Sequence, residues 1–226
     1  MPLLSPLYQA FFEHPKGLCG EHDLALPVAE INSLETRLSI ITLGSILNTP
    51  PNTKRWTALI ELEGFWLLNP SDVAYKTSHQ VAQTLQEKSI RGSQHVARVW
   101  WQICRGITGR FDGSFRALLK TNDDDALVIQ NYLHQSRTTF PVLSAPITSA
   151  YWLDFIHRIG KIQLKNWDKL QITLPAKTKK SAREFGWNGD RLHPAFALAL
   201  RAWTSACHRL DGDSCGFQHC PRHIDD

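Results

Sequence analysis

Residues Phe140 to Arg158 read FPVLSAPITSAYWLDFIHR, and this stretch decides the fold. The segment reads as the end of one helix, a tight Ser144-Ala145-Pro146 turn, and the start of another. Proline suits a first helical position, because the N–H it lacks has no partner inside the helix there. Trp152, Leu153, Ile156 and Ile159 then recur at helical spacing, and Gly160 closes the run. Two helices joined by a short hairpin are expected.

Outward from this hairpin the chain reads as all-α, with roughly eight short helices and no convincing period-two alternation. Leu34, Leu38, Ile41 and Ser45 share one face of a helix that ends near Asn48, where Thr-Pro-Pro forces a break. Trp56, Leu59 and Ile60 mark a second. Ser71 and Ser78 are the expected N-caps of two short helices, with Val81, Ala82 and Leu85 facing inward. Val96, Val99, Trp100, Ile103 and Ile107 form the cleanest amphipathic stripe. Ala126, Ile129 and Leu133 follow, led by the acidic run Asp123 to Asp125, which suits the positive end of a helix. Leu192, Phe196, Leu200, Trp203 and Cys207 line a last helix, with Pro194 in its first turn.

With 226 residues, 20% charged and 42% hydrophobic, the composition is that of a globular protein able to bury a full core. No apolar run approaches the roughly 20 residues that span a bilayer. Residues 1–16, MPLLSPLYQAFFEHPK, lack the basic start and small-residue cleavage site of a signal peptide, so a cytoplasmic location is expected. The net charge of +4 is mild, but its distribution is not. Between residues 161 and 183 stand Lys161, Lys165, Lys169, Lys177, Lys179, Lys180 and Arg183 against Asp168 alone. Such a run is either a solvated face or, directly after a hairpin, a phosphate-facing surface.

In the order of its parts the chain resembles the endonuclease III-like helix-hairpin-helix DNA glycosylases over about residues 30 to 223. The segment SIITLGSILNTPPNTKRWTALIEL is similar to the family's early helix, Asn-bearing loop and following helix. NPSDVAYKTSHQVAQTLQEKSIRGSQHVARVWWQICRGITGRFDG is similar to the stretch leading into the long central helix, with Val96-Ala97 where the family has Lys-Ala. The hairpin falls at Leu143 to Ala150 without its usual second glycine, and LQITLPAKTKKSAREFG resembles the segment that carries the family aspartate.

The resemblance implies a two-lobed, monomeric unit spanning residues 1–226 that binds double-stranded DNA and no membrane. Asn48 would fill the gap left by an extruded base. Ser144, Ala145, Ile147 and Thr148 would hold a phosphate, with Lys177, Lys179 and Lys180 alongside. A hairpin serves this purpose because backbone N–H groups at a helix start bind phosphate without side-chain charge. The implied activity is that of a base-excision repair glycosylase or AP lyase acting on a flipped base.

The catalytic positions depart from the family. Its lysine falls at Ile147 or Thr148, neither of which forms a Schiff base. Its aspartate falls on Pro175. Asp154 is the remaining candidate catalytic carboxylate, pointing away from Trp152, Leu153 and Ile156; the alternative is an exposed carboxylate paired with Arg158 four residues on. Two readings therefore stand beside the enzyme: a catalytically inactive DNA-binding relative, and a helical scaffold for protein contacts.

Cys207, Cys215 and Cys220, followed by His223, form the other implied site, a metal loop over 207–226. Family relatives end in four cysteines around a [4Fe–4S] cluster. Here three cysteines and the following proline remain, with His219 or His223 able to complete a zinc set, against the alternative of free thiols. Cys19 and Cys104 are expected in the core. Of the eight tryptophans, Trp100, Trp101, Trp152 and Trp203 sit on helical stripes and are expected to pack inside. Trp66, Trp167 and Trp187 fall in loops, where stacking on a flipped base is conceivable. Nothing in the histidine spacing or around Ser144 supports hydrolase chemistry.

Overall fold

Helix α1 (Leu34–Ile46) begins where Ser33 turns extended and its hydroxyl accepts the N–H of Thr36 at 3.3 Å. A computed structural model describes it together with the rest of residues 27–47, 54–88, 90, 93–184, 187–198 and 200. From Leu38 through Ile46 every residue of α1 is buried, so the helix is enclosed on all sides. An enclosed helix must satisfy its polar side chains internally or leave them unpaired, as it leaves the buried Ser39 hydroxyl among the described residues. Thr42 donates its hydroxyl to the Leu38 carbonyl at 2.7 Å, and Ser45 donates to Ile41 at 2.8 Å. Gly44 is where α1 meets a tryptophan: a Cβ there would lie 2.5 Å from Cζ2 of Trp56.

Among the described residues, seven further α-helices belong to the unit that holds residues up to Leu170. These are α2 (Lys54–Ile60), α3 (Pro70–Ala74), α4 (Ser78–Glu87), α5 (Ser93–Phe111), α6 (Phe115–Thr121), α7 (Ala126–Gln135) and α8 (Pro146–Arg158). The sequence stripes face inward as expected: Val81, Ala82, Leu85, Val96, Val99, Trp100, Ile103, Ile107, Ile129, Leu133, Trp152 and Ile156 are all buried. The long α5 packs on α3 and α4, while α1 packs on α8, α2 and α6. Trp152 of α8 donates its indole N–H to Thr42 at 2.9 Å, which ties the second hairpin helix to α1. Trp56 meets Phe155 of α8 edge-on, with ring centroids 5.9 Å apart.

Two caps differ from expectation by one or two positions. Asn69, not Ser71, caps α3, its carboxamide oxygen accepting the Ser71 N–H at 3.0 Å. Thr77, not Ser78, caps α4 through a reciprocal pair with Gln80. Asp125 caps α7 as the acidic run suggested. A carboxylate from far away in sequence closes α6: Glu35 accepts from Ser114 Oγ at 2.6 Å and from the N–H groups of Phe115 and Arg116 at 2.9 and 3.1 Å. Negative charge at a helix start is favoured by the helix dipole.

The described residues from Gln171 onward belong to a second compact unit. Strand β1 (Ile172–Thr173) pairs antiparallel with β2 (Arg191–Leu192), Ile172 opposite Leu192. Helix α9 (Ala176–Glu184) lies between them in sequence, and residues 194–198 are helical. Strands of two residues are too short to show alternation, which is why the sequence reads as purely helical here. Leu192, Phe196 and Leu200 are buried, while Trp203 and Cys207 lie outside the described residues. Among the described residues no helix is long and apolar enough to cross a membrane.

Gly44→Ala forces a methyl group into the Trp56 ring, so unfolding should require about 1–3 kcal/mol less than wild type in denaturant titrations. Wild-type stability would show that Trp56 does not rest on α1.

Candidate nucleic-acid interface

The hairpin between α7 and α8 is held from three directions. Phe140 and Leu143 are fully buried and anchor the turn to the core. Within the turn the Leu143 N–H bonds to Pro141 O at 2.8 Å and Ser144 N–H to Phe140 O at 2.9 Å, leaving Val142 at a φ of 69°. A β-branched residue in the left-handed region costs on the order of 1–2 kcal/mol, so the surrounding contacts must impose this turn. The imposing groups come from α7. Gln130 donates to Pro146 O at 3.2 Å and to Ser149 Oγ at 3.1 Å. His134 contacts Ser144 O through Nδ1 at 3.2 Å, while its Nε2 lies 2.6 Å from Arg137 Nη2. Arg137 can only donate, so Nε2 accepts and Nδ1 carries the proton.

The tip that this scaffold presents is bare. Ala145 takes the N-cap position of α8 with no side-chain cap bond, and Ala145, Pro146 and Ile147 are exposed. The first helical bond runs from Ser149 N–H to Ala145 O at 2.9 Å. Pro146 has no N–H, which leaves the N–H groups of Ile147 and Thr148 without a partner among the described residues. A helix start with two free donors carries partial positive charge and is suited to an anion. The sequence-expected contacts Ser144, Ala145, Ile147 and Thr148 thus lie together on one turn and helix start.

Asp154 sits on the same helix but is closed off. Its side chain has no exposed surface, and both oxygens accept from Arg158, Nε at 2.8 Å and Nη2 more closely. The indole N–H of Trp167 adds a third bond at 3.2 Å. The pairing with Arg158 is as expected, but the carboxylate is buried rather than exposed. Trp167 also stacks on His157, centroids 4.2 Å apart and planes 16° from parallel. His157 accepts the Leu164 N–H at Nδ1, 3.2 Å away. Burial holds its pKa below the usual 6.5; the Asp154 charge opposes that shift and Arg158 adds to it. Trp167 is therefore a packing partner of this cluster.

The other expected site residues belong to the second unit or fall outside the described residues. Lys179 and Lys180 stand on α9, where Lys179 forms an ion pair with Asp190 and Lys180 is exposed. Lys177 falls in the same helix, although its side chain is outside the described residues. Pro175 immediately precedes α9, and its carbonyl accepts the Lys179 N–H at 2.8 Å. Asn48, Cys19, Cys207, Cys215, Cys220 and His223 lie outside the described residues. Among the described residues no group of three or more His, Cys, Asp and Glu side chains could hold a metal ion. Cys104 is buried as expected, which pushes its thiol pKa up. Gln130, His134 and Arg137 are the residues that sequence reasoning missed; they carry no motif and matter only through the turn they clamp.

No protein-family model, no curated protein and no solved structure matches this chain.

Removing Arg158 leaves a buried carboxylate with only the Trp167 N–H, so Arg158→Ala should destabilise by on the order of 3 kcal/mol in chemical denaturation. A loss below about 0.5 kcal/mol, the range of exposed helix pairs, would place Asp154 in solvent instead. For His157 the native state resists protonation, so the unfolded chain binds the extra proton. Its contribution is present above pH 6.5 and is lost as pH falls through that value toward the lower native pKa. Melting temperatures of His157→Gln should therefore fall less steeply than wild type on acidification below pH 6.5; parallel curves would contradict the assignment.

Proposed function

We propose that this chain is a helix-hairpin-helix DNA-binding protein with a two-lobed fold, related to base-excision repair glycosylases and AP lyases. It holds damaged or distorted duplex DNA by a backbone phosphate at the hairpin. The observation that supports this reading is the uncapped start of α8, where the Ile147 and Thr148 N–H groups stand free on an exposed tip fixed by Gln130, His134 and buried Phe140. Contacts of this kind position a protein on DNA without reading sequence. They act by displacing counterions, so affinity falls with salt.

A specific observation favours binding without base excision. Excision calls for a carboxylate able to face the sugar of a flipped nucleotide, and Asp154 is buried with its oxygens taken by Arg158 and Trp167. Ile147 and Thr148 supply no amine for a Schiff base. The protein in this reading is a catalytically inactive relative that recognises a DNA structure.

Thr148→Asp separates binding from folding, because a carboxylate in the first turn of α8 favours the helix and repels a phosphate. Fluorescence anisotropy with duplexes containing an abasic analogue or a mismatch should show at least a roughly tenfold loss of affinity (about 1.4 kcal/mol). Unchanged affinity would remove the hairpin from the interface. Borohydride trapping on abasic, uracil, oxidised and alkylated duplexes should yield no adduct, and a trapped adduct would restore the enzyme reading.

A further inference from the structure

A second surface of the larger unit alternates aromatic rings with cations. Lys88 Nζ lies 5.0 Å from the Phe65 ring centroid, Lys76 Nζ 5.6 Å from Trp66, and the Arg105 guanidinium 4.8 Å from Trp101. These three pairs are connected. The Phe65 and Trp66 rings are 5.9 Å apart, and the Trp101 indole N–H donates to the Lys76 carbonyl at 2.7 Å. The sequence places Trp101 in the core; it is instead only partly buried, because it falls off the Val96, Val99, Trp100, Ile103 stripe of α5. Tyr75, beside Lys76, is 87% exposed.

From Trp101 the surface runs into an open groove of about 590 Å³ along α5. Arg105 and Arg110 stand on it, and two glycines shape it. Gly106 lets Thr139 of the hairpin turn approach, since a Cβ there would collide with Thr139 Cγ2. Gly109 has nothing within 4 Å of its Cβ position, so the helix backbone is open at that point. Arg110 is oriented by Tyr132 Oη at 3.2 Å and Ser136 Oγ at 3.5 Å. No acidic side chain lines the groove, and none of its arginines belongs to an ion pair among the described residues.

We propose that this surface, from Phe65 and Trp66 through Trp101 and Arg105 to Arg110, binds single-stranded nucleic acid. Rings and guanidinium planes stack on bases of any identity, and the interleaved cations follow the phosphates. Bases reach half-buried rings only when they are unpaired, which excludes an intact duplex from this path. Three successive ring–cation pairs opening into a groove suit a polymer rather than one free nucleotide. An acidic peptide would use the cations and leave the rings without a role. The inference goes beyond duplex binding by the hairpin and does not require it.

The test is anisotropy of a labelled oligodeoxythymidine on the full chain, across a salt series. Arg105→Ala with Arg110→Ala should weaken binding at least about tenfold and flatten the slope of log K against log salt by about 0.7 for each phosphate no longer neutralised. Gly109→Glu should weaken it comparably while melting no lower than wild type, since the new side chain meets open space. Lys120→Ala, which removes an exposed charge from the end of α6, should leave binding unchanged. Photocrosslinking with iodouridine-substituted oligomer should land on Trp66, Tyr75 or Trp101. Thr148→Asp should retain oligomer binding, so failure of the hairpin reading and failure of this one are distinguishable. No binding by wild type, wild-type affinity in both groove variants, crosslinks confined to other peptides, or equal competition by oligoglutamate would each overturn the proposal.

Discussion

The larger unit depends on one enclosed helix, α1, and on what enclosure demands of its side chains. Over Leu38–Ile46 no face is left for solvent. Polar atoms there must find partners inside the protein or carry a desolvation penalty. Thr42 answers this twice, donating to the carbonyl one turn back and accepting from Trp152. That second bond couples the middle of the core to the hairpin helix. Gly44 answers a different demand, since only a missing side chain lets Trp56 lie against the helix. Trp56 in turn meets Phe155. The position of α8, and with it the hairpin tip, follows from two contacts made with or beside α1.

Rigidity at the core leaves the tip free to be strained and bare. Val142 holds a left-handed conformation between anchored neighbours, and the start of α8 goes without a capping side chain. Most other helices of this unit with a described N-cap use Ser, Asn, Thr or Asp to satisfy their first N–H groups. An uncapped start on an exposed turn, clamped by Gln130 and His134, is the arrangement a phosphate would complete. The charged cluster at the other end of the helix serves the opposite purpose. Asp154, Arg158, His157 and Trp167 satisfy one another and close that end.

Helical periodicity made most of this architecture legible. Stripes such as Val96, Val99, Trp100, Ile103 and Ile107 announce a buried face because burial selects residues at that spacing. The hairpin was legible because proline after a small-residue turn admits few backbone paths. Caps were legible only to within a residue or two, since Asn69-Pro70-Ser71 and Thr77-Ser78 each offer neighbouring side chains that could do the same work. Glu35 capping α6 and His134 supporting Ser144 were not legible, because they join residues distant in sequence and carry no periodic signal. Trp101 departs from its expected place for a related reason: adjacent tryptophans on one helix face different ways, and only Trp100 lies on the stripe. The two-residue strands left no pattern to read.

The two surfaces of this unit differ in chemistry. The hairpin offers backbone donors and no side-chain charge, whereas the α5 groove offers rings and arginines. Hydrogen–deuterium exchange of the wild-type protein with and without a distorted duplex probes the hairpin tip itself. Phosphate binding at the tip adds protection in peptides covering Ala145 to Ser149, where the Ile147 and Thr148 amides have no partner among the described residues of the free protein. Protection elsewhere with no change across those amides would contradict it.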